Sequence, residues 1–180
     1  MAQKYIKIGD LIPNVYYRIK VGARNADVST QQQFAGKKII IFSVPCPFFA
    51  EYPSRMAIGY EENIAELKSF GIDEIYCTST TDYFTLMAWL KSQNITQVLP
   101  FPDGNSQWAT QIGFLVDNSE EYLGYRTHRY CMIIDDCRVK KVFYENFTHD
   151  MHTCFTETNA EKICQYLSQA ENTWEQFQKG

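Results

Sequence analysis

Lys37–Val44 (KKIIIFSV) is an almost unbroken apolar run between Gly36 and Pro45, the pattern of a strand buried on both faces. Downstream, EENIAELKSF spaces Ile64, Leu67 and Phe70 at helical intervals with acids early, which predicts a helix stopping at Gly71. IDEIYCTST predicts a second strand. TDYFTLMAWLKSQ predicts a second helix, with Thr81 or Asp82 as cap and Phe84, Leu86, Met87, Trp89 and Leu90 as its apolar face. VLPFPDGNSQWATQIG predicts a short strand, a PDGN turn and a short helix. RYCMIIDDCRVKKVFYE predicts a β-hairpin of Tyr130–Ile134 and Val139–Tyr144 turning through Asp135–Arg138. NAEKICQYLSQAENTWEQFQ predicts a closing amphipathic helix with Ile163, Leu167 and Trp174 facing the core. Residues 1–36 are mixed and turn-rich. The order β-α-β-α-β-α, hairpin, α describes a central sheet with helices on its faces, and loops at the C-terminal strand ends are where sites collect.

Composition narrows this picture without redirecting it. With 180 residues, 45% hydrophobic and 21% charged, the chain is expected to fold as a single domain over residues 1–180. A net charge of −4 argues against a nucleic-acid surface. The first twenty residues have no leader-like apolar run, and no run approaches a membrane span, so a cytoplasmic protein is expected, with neither membrane nor nucleic acid as partner. The six cysteines (Cys46, Cys77, Cys131, Cys137, Cys154 and Cys164) form no CxxC pair, which fits reduced thiols serving mostly as small hydrophobes.

The stretch FSVPCPFFAEYPSRM leaves the first strand through a Pro-rich turn and enters a helix. Together with GKKIIIFSVP, GYEENIAELKSFGIDEIYCTSTTDYFTLMAW, FPDGNSQWATQIG and GYRTHRYCMIIDD, in that order, it resembles the atypical two-cysteine peroxiredoxins of the type-five class, from about Ile8 to Leu167. The resemblance implies a redoxin domain with a thioredoxin-like α/β fold, a central mixed β-sheet flanked by helices on both faces. It also implies antioxidant, oxidoreductase chemistry in cell redox homeostasis, and a homodimer joined near the site. No cofactor or metal is expected.

That family's motif is proline, three residues, threonine or serine, two residues, then the peroxidatic cysteine, with an arginine from a later strand. The residue types follow from the reaction. A thiolate attacks peroxide, so a helix N-terminus and a guanidinium must lower the thiol's pKa, and hydroxyl and guanidinium hold the oxygens in line. Matched without gaps, Pro45 takes the proline position and Arg129 the arginine position, while Phe49 stands where the hydroxyl is needed and Tyr52 where the cysteine is needed. Tyrosine's ordinary pKa of about 10 leaves roughly 0.1% phenolate at pH 7, and oxygen has no sulfenic-acid chemistry. Adjacent Glu51 disfavours an anion further. Pro53 suits the first helical position, so Tyr52 is expected near the cap with its ring plugging the pocket.

Two functions therefore stand open. One is a degenerate homologue acting by binding or dimerisation, with Phe48, Phe49, Tyr52, Tyr83 and Trp89 as an aromatic face. The other is a thiol peroxidase or thiol–disulfide oxidoreductase using Cys46. Cys46 is either a relocated nucleophile or a small residue where the family commonly has glycine, and Pro47 holds it extended, off the helix end. Cys154 lies near where some family members carry the resolving cysteine, but pairing with Cys46 needs Cα atoms within about 7 Å. Glutathione or a thioredoxin-like protein is the alternative reductant. His149, His152 and Cys154 give H-x-x-H-x-C, which matches no closed four-ligand zinc site. Arg129, left without a thiolate, is expected to pair with Glu51 or bind a small anion.

Overall fold

The computed structural model describes residues 5–49, 51–146 and 155–179, with side chains through Glu171. Two strands, β1 (Tyr16–Val21) and β2 (Arg24–Ser29), form a hairpin leading into α1 (Thr30–Phe34). β3 (Lys38–Ser43), α2 (Glu51–Glu62), α3 (Ile64–Ser69), β4 (Glu74–Ser79), α4 (Tyr83–Ser92) and β5 (Leu99–Pro102) follow. The chain continues through α5 (Gln107–Ile112), β6 (Leu115–Asn118), β7 (Gly124–Thr127), β8 (Tyr130–Asp135), β9 (Arg138–Tyr144) and α6 (Ala160–Lys179).

The main sheet has the order β5-β4-β3-β8-β9. β3, β4 and β5 run parallel, and β8 and β9 are antiparallel additions. This is the mixed sheet expected of a thioredoxin-like fold. Because side chains alternate along a strand, β3 feeds two cores at once. Ile40 and Phe42 pack with Met56, Tyr60, Leu67, Leu86, Trp89 and Ile163, under α2, α3, α4 and α6. Ile39 and Ile41 pack with Phe34, Trp108, Ile112 and Phe114, under α1 and α5. Helices thus cover both faces, and β3, central and buried on each, has to be apolar throughout. β5, with Pro100 and Pro102, lies at the sheet's edge, where a strand tolerates residues that have no N–H.

Local chemistry sets the boundaries. The cap of α4 is Asp82, whose carboxylate accepts from the backbone of Phe84 at 2.8 Å and Thr85 at 3.0 Å. The β8–β9 hairpin turns through Asp136 and Cys137, both at positive φ (46° and 61°), the type I′ geometry that matches strand twist. The helix expected before Gly71 is interrupted at Asn63, whose side-chain amide donates to the carbonyl of Gly59 at 2.8 Å. Three expectations need correction. Residues 16–29 contain paired strands that the turn-rich reading missed, and residues 115–127, for which no element was predicted, contain another pair. Phe84 is 56% exposed rather than facing the core. Trp89 is 1% exposed in the main core, so it is no part of a surface aromatic face. The side chain of Trp174 lies outside the described residues.

Candidate functional site

The loop between β3 and α2 is pinned to the parallel strand beside it. The Val44 N–H donates to the carbonyl of Thr78 at 2.9 Å, and the Ser79 hydroxyl donates to the carbonyl of Pro45 at 3.4 Å. Pro45 and Pro47 are buried and Cys46 between them is half-buried. Phe48 and Phe49 turn outward, 63% and 38% exposed. The loop tightens where the Phe49 N–H meets the carbonyl of Cys46 at 3.3 Å.

α2 begins at Glu51, so Tyr52 is its second residue and Pro53 its third, each two steps further into the helix than expected from sequence. This is tolerable because the N–H groups of a first turn have no intrahelical partner in any case. The Tyr52 ring is half-buried and meets Phe155 edge to face, with centroids 6.5 Å apart and planes at 72°. Phe155 in turn packs on the main core beneath α6. The carboxylate of Glu51 is largely exposed and lies 4.0 Å from Arg55, one turn along.

The two arginines of the R-x-x-R segment part company. Arg129, between β7 and β8, is buried at 6% exposure, and its carbonyl accepts from the Glu145 N–H at 3.2 Å. Arg126, on β7, reaches toward the loop. Its Nη1 donates to the carbonyl of Thr80 at 3.3 Å, while its buried Nε has no hydrogen-bond partner among the described residues. Arg126 is also the cation felt by Cys46. Burial pushes the Cys46 thiol up, and Arg126 pulls it back by less. Burial thus disfavours the thiolate, which is the nucleophilic form. The sequence alone pointed to Arg129 for this contact. Separating the two arginines required knowing that β7 ends at Thr127 and sends Arg126 toward the end of β4.

The other thiols are placed as core groups. Cys77 and Cys131 are fully buried, and burial pushes both thiols up, that of Cys131 to about 12. Cys164 is buried on α6, and burial with Glu66 and Glu161 nearby raises it to about 11. Cys137 occupies the β8–β9 turn, raised by burial and then by Asp136. His149, His152 and Cys154 fall outside the described residues. Among the described residues no three metal-ligating side chains gather, and no helix is long and apolar enough to cross a membrane.

Behind the loop, His128 stacks on Phe114, with centroids 6.2 Å apart and planes at 7°. Its Nε2 lies 2.8 Å from the carbonyl of Glu145. Burial lowers its pKa, so the unfolded chain binds the proton more readily than the folded one. Stability is then full above the ordinary histidine value of about 6.5 and is lost as pH falls through the lower folded value. The urea midpoint is expected to fall between about pH 7 and pH 5, and His128→Gln should flatten that slope. An unchanged slope in the variant would assign it to other groups.

Similarity to known proteins agrees with this architecture. The Redoxin family model matches residues 7–163. The chain is 30% identical to peroxiredoxin sll1621 of Synechocystis over 174 residues, covering 89% of this chain and 90% of that one. It is 29% identical to the hybrid peroxiredoxin hyPrx5 of Haemophilus influenzae over 160 residues, covering 89% of this chain and 66% of that one. The structure of reduced Prx3 from Vibrio vulnificus in complex with H2O2 superposes with a TM-score of 0.83 at 30% identity, over 92% of this chain and 98% of that one. With its mixed sheet, its helices on both faces and its loop at the end of β3, this chain belongs to the redoxin family, among the peroxiredoxins.

Proposed function

We propose that this protein is a redoxin-domain homologue that does not reduce peroxide through position 52 and acts instead by binding or dimerisation, as a cytoplasmic protein. The observation that carries this reading is Tyr52 in the first turn of α2, where the family's motif calls for cysteine. A phenol there cannot cycle through a sulfenic acid, and its ring fills space against Phe155. The side chain of Phe49, at the motif's hydroxyl position, has no hydroxyl group. Exposed Phe48 and Phe49 in the loop supply apolar surface of the kind that joins two copies.

One observation favours the second reading, a thiol oxidoreductase built on Cys46: the Arg126 cation acts on that thiol. Its burial opposes the same role. Peroxide consumption by the wild type and by Cys46→Ser separates the two. The expected result is consumption no faster than buffer for both proteins, with glutathione or a thioredoxin as reductant. A rate that depends on Cys46 would overturn the binding reading. In parallel, iodoacetamide labelling of Cys46 should rise with pH along a curve displaced above that of a free thiol. A curve displaced below it would favour the oxidoreductase.

A further inference from the structure

Away from the Pro45–Tyr52 loop, the β1–β2 hairpin, the first turn of α4 and the turn after β5 close around a cavity of about 560 Å³. Much of its wall is aromatic, with Tyr16 and Tyr17 from β1 and Tyr83 and Phe84 from α4. Tyr83 and Phe84 meet edge to face, centroids 5.6 Å apart and planes at 83°. Tyr16 and Phe84 are left largely exposed, although the same helix buries Leu86, Trp89 and Leu90.

The charge lining the cavity is one-sided. Its one lining cation, Arg18, is held by Asp27 through two hydrogen bonds, at 2.7 and 2.9 Å. That pair is neutral as a unit. Asp82 and Asp103 line the same space, and neither has an ion-pair partner among the described residues. Asp82 accepts from Phe84, Thr85 and the Thr85 hydroxyl. Asp103 is buried and accepts from the N–H groups of Trp108 at 3.0 Å and Ala109 at 2.9 Å. Burial pushes its carboxyl up, which a nearby cation would reverse.

These surroundings select a ligand class. An anion would meet two unmatched carboxylates. A neutral apolar molecule would displace water from exposed Asp82 and bring no countercharge to either carboxylate. A bare metal ion would find no cluster of three ligating side chains among the described residues. An organic cation gains from both components, because ring faces attract an ammonium within about 6 Å and its methyl groups bury apolar area against them. We propose that this cavity binds a trimethylammonium group, with Tyr16, Tyr83 and Phe84 as its aromatic wall and Asp82 and Asp103 as its countercharge.

Choline is the probe, titrated into the full chain while the aromatic and amide resonances are followed. Saturable shifts at Tyr16, Tyr83 and Phe84 are expected in the millimolar range. The neutral isostere 3,3-dimethylbutan-1-ol should bind at least about fivefold more weakly. Asp82→Asn keeps a good helix cap but removes the charge, and should weaken choline about fivefold while leaving the isostere unchanged. Phe84→Ala, at an exposed position, should weaken choline about tenfold. A trimethyl-lysine peptide run beside choline distinguishes a protein-borne cation, which would bind the more tightly, from a free one. No shifts up to about 50 mM choline, equal binding of the isostere, or full affinity in Asp82→Asn would each overturn the proposal.

Discussion

The double variant Tyr52→Cys, Phe49→Thr is expected to consume hydrogen peroxide at least about a hundredfold faster than the wild type in the presence of dithiothreitol. That is the scale on which single preorganised groups act in an active site. The motif's proline and arginine are retained as Pro45 and Arg129. Position 52 lies in the first turn of α2, where the helix end favours a thiolate. In the restored reaction the thiolate attacks the peroxide, an S–O bond forms as the O–O bond breaks, and water leaves. Cysteine becomes a sulfenic acid that dithiothreitol reduces. Tyr52→Cys also removes the ring that meets Phe155, opening the space a peroxide would occupy. Tyr52→Cys alone should recover part of the rate and Phe49→Thr alone none. If the double variant remained as inert as the wild type, the loss would lie deeper than these two side chains, and the proposal that they alone silence the site would fail.

The largest stability effect is expected at Trp108. Its ring is fully buried and meets Phe101 edge to face at 5.1 Å, and its indole N–H donates to the Tyr130 hydroxyl at 2.7 Å. Trp108→Ala removes the ring from the core beneath α5 and leaves a cavity that its neighbours cannot fill. The cost should be about 3–5 kcal/mol, a large part of the 5–15 kcal/mol typical of a whole domain. Trp108→Phe keeps most of the buried ring but removes the indole donor from the Tyr130 hydroxyl, which retains Thr127, and should cost about 1–2 kcal/mol. Urea midpoints of the three proteins give both numbers. A cost below about 1 kcal/mol for the alanine variant would mean that this core relaxes far more freely than a close-packed interior does.

What the sequence disclosed depended on how strongly each segment is buried. β3 was legible because both of its faces are covered, leaving Ile39–Phe42 as an unbroken apolar run. The cap at Asp82 and the β8–β9 hairpin were legible because their chemistry is local. β1 and β2 were not, since only Tyr17 of β1 and Ser29 of β2 are buried and the hairpin is defined by its mutual pairing. The short β6 and β7 escaped for the same reason. At the loop, the replacement of the motif residues could be read by position alone. The preference of Cys46 for Arg126 over Arg129 could not, because it depends on where β7 ends relative to β4. The aromatic-lined cavity was equally invisible, assembled from three segments far apart in the chain.

The prolines of β5 have a consequence for how this protein can assemble. An exposed strand edge is a template for another chain's backbone, and its reach depends on the N–H groups it offers. Two of the four residues of β5, Pro100 and Pro102, have none, so that margin of the sheet resists extension. Strand addition, whether in a regulated complex or in aggregation, is thereby directed to the opposite margin, and there to the part of β9 beyond Val139, because Gly9 and Asp10 already pair with Val139.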